Sequence, residues 1–249
     1  MAARIGAMQQ RLPSLIRPIT FAHRGARAYS PENTIEAFQL GLRLGATGLE
    51  SDVWVTADGI AVLDHDGVVR RRTRRLPIKE VNRRFLPSHV PDLSEMLEAC
   101  PGEYDLSLDV KDPAAIEATL DAIRATRPDM ESRTWLCHHD WTLVAQWRNK
   151  THAKLVDSTR LSRIKEGPER RLAQLADAGI DCLNMHHTDW TGGIVVLAHR
   201  FRRFALGWDM QFDHVIETGL RMGLDGVFSD YPDRMVEAAG RVDSATLEP

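Results

Sequence analysis

Two histidines, His23 and His65, bracket a Glu-x-Asp pair formed by Glu50 and Asp52. Asp109 and Lys111 repeat the same one-residue gap further along the chain. Residues two apart on a strand face the same side. Glu50 and Asp52 therefore share a face if they lie on a strand, and so do Asp109 and Lys111. An inward pair of carboxylates repels itself and is not buried without compensation. A divalent cation is one compensation, because three carboxylates without a cysteine make a hard oxygen site suited to Mg²⁺ or Ca²⁺. A salt-bridge network with Arg24 and Lys111 is the other, and spacing alone leaves both open. A lone histidine is more often structural, but two beside three acids suit general acid-base work near neutral pH.

These groups need a scaffold that gathers them. Ile19 to Ala22 is a short apolar run that empties into His23-Arg24-Gly25, as a buried strand does. Ser30-Pro31-Glu32 reads as a helix start, with Ser30 as the cap. Residues 49–55 alternate, Asp58-Gly59 is a tight-turn signal, and 60–63 returns as a second strand ending at His65-Asp66. Residues 68–90 read as basic and irregular, with five arginines between 70 and 75 that form either an anion-attracting rim or a solvated loop. Asp92 is placed to cap a helix. Residues 104–110 alternate again and deliver Asp109 and Lys111.

Further strands are expected at 134–137, 154–156, 180–183, 204–208 and 225–228, each followed by a helical stretch. They end respectively near His138-His139, in a charged loop, before a loop, at Trp208, and at Ser229-Asp230. About eight strands alternating with helices predict a single-domain α/β fold, a (β/α)₈ TIM barrel, with a short β-hairpin extension after the second strand. The expected division is a lead-in over 1–18, the barrel over 19–240 and a tail over 241–249. The competing doubly wound sheet would show a Gly-rich phosphate turn after an early strand, and none is present. In a barrel the strand ends named above meet at one mouth.

The bulk numbers exclude several classes. The net charge of -3 gives no basic field for nucleic acid. No apolar run approaches the roughly 20 residues of a transmembrane helix, although transient membrane contact stays open. The three cysteines, Cys100, Cys137 and Cys182, show neither a disulfide framework nor zinc spacing. Together with a start that lacks the apolar core of a secretion signal, they point to the cytoplasm.

The motifs HRGARAYSPENTIEAF (23–38), GATGLESDVWVTADGIAVLDHD (45–66), VPDLSEML (90–97), LSLDVK (106–111) and GLDGVFSDYP (223–232) resemble, in order, those of the glycerophosphodiester phosphodiesterases. The resemblance covers nearly the whole chain, and its first two motifs are highly specific. It implies a TIM barrel and metal-dependent hydrolysis of a phosphodiester to sn-glycerol 3-phosphate and an alcohol. By position it implies that His23 and His65 are catalytic and that Glu50, Asp52 and Asp109 hold one divalent cation. It also implies that Arg24 and Lys111 contact phosphate, with Trp208 as the late aromatic at the pocket mouth. The chain departs from the pattern in four places. Asp109 stands where the family usually has glutamate. His138-His139-Asp140 replaces a Ser-Phe-Asp-like strand end, Trp208-Asp209-Met210-Gln211 replaces Trp-Thr-x-Asn, and the segment between His65 and Val90 is shorter than the inserted subdomain of many relatives.

The implied mechanism has His23 as base and His65 as acid, with water or a neighbouring glycerol hydroxyl as nucleophile. A small-molecule glycerophosphodiester is the expected substrate. A lysophospholipase D-type reaction on a lipid and a non-catalytic phosphodiester-binding barrel are the alternatives.

Overall fold

The structure, a computed structural model, describes residues 17–71 and 74–246. Most of the expected lead-in and the last residues of the expected tail therefore lie outside the described residues, as do residues 72 and 73 of the arginine run. The chain starts β1 (Ile19–Ala22), α1 (Ile35–Arg43), β2 (Gly48–Val55), β3 (Ala61–Leu63), β4 (Val68–Arg71) and β5 (Arg74–Pro77). Next come α2 (Leu93–Ala99), β6 (Asp105–Val110), α3 (Ala115–Thr126), β7 (Thr134–His138), α4 (Trp141–Trp147) and β8 (Lys154–Thr159). It finishes with α5 (Pro168–Asp177), β9 (Cys182–His186), α6 (Gly192–Arg200), β10 (Phe204–Trp208), α7 (Asp213–Met222), β11 (Gly226–Ser229) and α8 (Pro232–Thr246).

Eight of these strands, β1, β2 and β6 to β11, pair in parallel around a ring. β1 closes the ring by bonding to β2 on one side and β11 on the other. β3 pairs antiparallel on β2 with Val53 opposite Leu63. This is the expected (β/α)₈ barrel with its hairpin extension.

Alternation along the strands explains the interior. Ile19, Phe21, Trp135, Cys137, Val156, Cys182, Leu206 and Phe228 form one cluster within the ring. Phe21 stacks on Phe228 with ring centroids 4.5 Å apart and meets Trp135 edge-on at 6.2 Å. A Cβ on Gly48 would lie 2.6 Å from the Phe21 ring, so only glycine lets β2 pass this plug. The intervening residues, such as Leu49, Val53, Leu106, Leu108 and Leu183, point outward into the larger cluster beneath the helices.

Local signals set the helix starts. Asp92 and Glu95 make a reciprocal capping box on α2, as its position suggested. The first helix differs from expectation. It starts at Ile35 with Thr34 as its cap, accepting from Ala37 N–H at 3.2 Å, rather than at Ser30. The Ser30-Pro31-Glu32 stretch is instead a loop, because Glu32 is drawn to two arginines.

The segment after His65 also differs, being ordered rather than irregular. β4 and β5 form an antiparallel hairpin. Beneath it Val62, Val69, Ile78, Val81, Leu86 and Val90 make a small core of their own, with Trp54 and Leu76 packed against it. The arginine pattern hid these apolar positions. The last helix runs on to Thr246, so helical structure continues past Gly240, where the barrel was expected to end.

Candidate active site

A cavity of about 350 Å³ opens at the C-terminal ends of the barrel strands. It is lined by His23, Arg24, Glu50, Asp52, Asp109, Lys111 and Trp208, the residues expected from the sequence apart from His65. Reading every second residue along β2, β6, β8 and β9 places Glu50, Asp52, Ser107, Asp109, Ser158 and Asn184 on its wall. The register sets Asp52 directly beside Asp109 and Glu50 beside Ser107.

His23 follows β1. Its Nδ1 lies 2.6 Å from Asp230 Oδ1, just past β11, and its Nε2 lies 3.8 Å from Glu50 Oε2. Burial lowers the pKa of His23, but Glu50 and the Asp230 hydrogen bond outweigh it and the net shift is upward. Burial also raises Asp230, yet the same hydrogen bond and charge hold that carboxyl below its ordinary value. Both shifts describe one short, charge-assisted contact.

Arg24 sits in the left-handed region, φ +50°. This turn aims its backbone N–H at Glu50 Oε2, 2.9 Å away, while its side chain reaches Glu32 at 3.1 Å. Arg27 reaches the same Glu32 at 2.6 Å and Asp230 at 3.4 Å. Glu32 therefore clamps both arginines of the first loop, a role that its helix-start pattern concealed.

Lys111 bonds Asp52 Oδ1 at 3.0 Å and also bonds Asp109. Burial lowers its pKa, but these two carboxylates more than reverse that and raise it. Arg24 Nε stands 3.2 Å from Asp52 Oδ2 in an ionic contact without hydrogen-bond alignment. Asp52 Oδ2 is consequently buried with no hydrogen-bond partner among the described residues. Glu50 is pushed up to about 7 by burial, with Asp52 adding to the push and His23 opposing it.

The salt-bridge network is thus real, but it is incomplete. The cavity wall carries Glu50, Asp52, Asp109, Asp209 and Asp230 against only Arg24, Arg27 and Lys111 as permanent cations. An orphaned buried carboxylate oxygen and an excess of acids fit a hard divalent cation held by Glu50, Asp52 and Asp109. As they stand these three are not gathered into a close ligand trio, and Lys111 is bonded to both aspartates.

His65 lies apart from the cavity wall. Its Nδ1 is 2.9 Å from Asp66 Oδ1 and its side chain is 40% exposed. The preceding residue, Asp64, donates its N–H to the Asp52 carbonyl at 3.1 Å, which places His65 beside the end of β2. Trp54 braces this turn by donating its indole N–H to the Asp64 carbonyl at 2.8 Å. A Cβ on Gly67 would meet the Trp54 ring at 2.4 Å, so the turn requires glycine there.

Arg70, Arg74 and Arg75 do not line the cavity, and the two from β5 are exposed, as the solvated-loop reading had it. His138 is buried with its ring edge-on to Trp147 at 6.1 Å, and its Nδ1 accepts from Asp140 N–H. It lies on the outward parity of β7, opposite to Cys137, and serves packing. Cys137 belongs to the inner core but also reaches the cavity wall. Sequence reasoning gave no role to Arg27, Ser107, Ser158, Asn184, Asp209, Gln211 or Asp230, all of which line the wall. Strand parity could have found Ser107 and Ser158. β9 runs to His186, past the expected end at residue 183, which hid Asn184 and the His186-His187 strand end.

The sequence model of the glycerophosphoryl diester phosphodiesterase family matches residues 23–234. A glycerophosphodiester phosphodiesterase of Bacillus altitudinis is 26% identical over 239 residues, spanning 87% of this chain and 96% of the relative. A crystal structure of a glycerophosphodiester phosphodiesterase from Thermotoga maritima superposes with a TM-score of 0.76 at 19% identity, covering 89% of this chain and 98% of the other. An Oleispira antarctica phosphodiesterase, solved in complex with the product sn-glycerol-3-phosphate, gives 0.75 at 20%, covering 92% and 97%. At these identities the two structures speak for the barrel alone.

Proposed function

The chain belongs to the glycerophosphoryl diester phosphodiesterase family, and on that premise we propose that it hydrolyses glycerophosphodiesters to sn-glycerol 3-phosphate and an alcohol. The observation that carries this reading is the convergence of His23, Arg24, the three carboxylates and Lys111 on one small-molecule cavity. The name of the Bacillus relative and the product bound to the Oleispira enzyme support the substrate class.

Each residue has work that its position allows. Asp230 accepts the Nδ1 proton of His23 and leaves Nε2 as the lone pair facing the cavity. His23 is the base that takes the proton of the attacking hydroxyl. Arg24 and Lys111 offer donors to the non-bridging phosphate oxygens, where negative charge grows in the transition state. His65, exposed beside the end of β2, is the acid that protonates the departing alkoxide. Trp208 forms an apolar wall for the glycerol or head group. A divalent cation held by Glu50, Asp52 and Asp109 would supply Lewis-acid stabilisation of the phosphoryl charge.

The test is turnover after thorough chelation. Activity is expected to vanish and to return with Mg²⁺ or Ca²⁺, and full activity in the chelator sinks the cation's role. Glycerophosphocholine and lysophosphatidylcholine should be compared in the same assay. Faster turnover of the lipid would replace the glycerophosphodiester reading.

A further inference from the structure

Outside the carboxylate set, one group of side chains has the makings of a different site. His186 ends β9, His187 follows it, and Asp209 follows β10 on the neighbouring strand. Each offers one ligand atom, and these atoms lie within 4.8 Å of one another, the only such trio of histidine, cysteine or acidic groups among the described residues. We propose that His186, His187 and Asp209 form a second metal site, selective for a borderline transition-metal ion such as Zn²⁺.

The donors set the class of ion. Two imidazoles and one carboxylate suit Zn²⁺, Co²⁺ or Ni²⁺, whereas Mg²⁺ and Ca²⁺ favour oxygen alone. Three protein donors leave one position of a tetrahedral ion for water or a substrate oxygen. Asp209 also lines the main cavity, so an ion held there borders the substrate.

The supporting groups hold the donors as ligands are held. His186 Nε2 faces Asp209 Oδ2 at 3.0 Å, while its Nδ1 lies 2.8 Å from the Thr188 hydroxyl. In this structure Nδ1 accepts from Thr188 N–H at 3.2 Å. A metal on Nε2 would put the ring proton on Nδ1, exchanging that backbone contact for donation to the nearer Thr188 Oγ1, the kind of partner that fixes ligand tautomers. The Trp208 ring stands edge-on to His186 at 4.6 Å and the His187 ring lies 4.4 Å away, so the orientation is set from two sides. Asp209 adopts φ +62°, a left-handed conformation that aspartate tolerates better than most residues, and Gln211 approaches its other oxygen at 3.3 Å. The Trp208-Asp209-Met210-Gln211 departure from the family pattern is thereby given a use.

The test uses the full chain, stripped of metal and then saturated with Mg²⁺ so that the carboxylate set is filled. Co²⁺ is titrated by its visible absorption, and Zn²⁺ by competition with a chromophoric chelator. One equivalent of each should bind. His187→Ala and Asp209→Asn should each weaken Zn²⁺ at least ~10-fold, and Thr188→Val should weaken it by ~10-fold while keeping the stoichiometry. Unchanged thermal midpoints will show that the variants fold. Unaltered Zn²⁺ affinity in His187→Ala and Asp209→Asn overturns the proposal. So does a Co²⁺ band lost in Asp52→Asn but kept in His187→Ala.

Discussion

Asp230→Asn offers the sharpest probe of the proposal that His23 acts as the base with Asp230 fixing its tautomer. Asp230 has two neighbours that both act as donors, His23 Nδ1 at 2.6 Å from Oδ1 and Arg27 Nη1 at 3.4 Å from Oδ2. A carboxylate satisfies both. An asparagine has one oxygen, and turning it to the guanidinium sets its NH₂ against His23. The imidazole must then accept at Nδ1, its proton moves to Nε2, and the lone pair aimed at the cavity is lost. Losing the charge-assisted hydrogen bond alone removes ~1.5–3 kcal/mol, which is roughly 10- to 160-fold in rate. A wrong tautomer has reduced kcat by ~10⁴ in a serine protease with the same His-Asp logic. The expectation is therefore a fall in kcat/KM of at least tenfold, measured on glycerophosphocholine by coupled detection of sn-glycerol 3-phosphate. Adding Arg27→Ala frees the asparagine oxygen to face His23 and should recover part of the loss, a coupling that a double-mutant cycle reads directly. Turnover of Asp230→Asn within threefold of wild type would refute the reasoning.

Three further outcomes are expected. His65→Ala should remove most activity while cation binding, read calorimetrically, stays intact, and wild-type-like turnover would end the acid assignment. Asp109→Glu should keep or raise activity, whereas collapse of the fold would give Asp109 a packing role. Glu131 is held down to about 2, chiefly by its hydrogen bonds from Arg124, then by Thr151 and the His152 N–H. A depressed carboxyl contributes stability that is present above its unfolded value near 4.5 and lost as pH falls toward 2. Glu131→Gln should thus cost about 1–2 kcal/mol at neutral pH, discounted for the exposure of Arg124. The cost should shrink between pH 5 and 3 in urea unfolding, and a pH-independent difference would count against the ion pair.

Much of the barrel was legible because its strands obey two rules at once, inward-outward alternation and polar residues at their C-terminal ends. Asp92 announced its helix because an N-cap is a local signal, and the structure completes it with Glu95 into a capping box. Thr34 was passed over for Ser30 because the choice between caps depends on Glu32, whose partners Arg24 and Arg27 lie across the loop. The β4–β5 hairpin was hidden because its apolar residues are spaced among arginines and packed by Ile78 and Leu86 from outside the pattern. In the site, positions within strands were readable, while His65 could be placed near the mouth but not on the wall. The hydrogen bond from His23 to Asp230 joins residues 207 apart and has no local signature.

That separation has a bearing on how the molecule comes into being. β1 is laid down first, yet it is paired to β11, and the loop after it is pinned by His23 N–H to the Ser229 carbonyl and Ala28 N–H to the Asp230 carbonyl. During synthesis the first strand must wait, one edge unsatisfied, until the final one emerges and docks. Closing so long a loop is slow. Hydrolytic competence would then arise at the last folding event rather than gradually. Recovered turnover on refolding would accordingly report ring closure itself, lagging behind helix formation seen by circular dichroism.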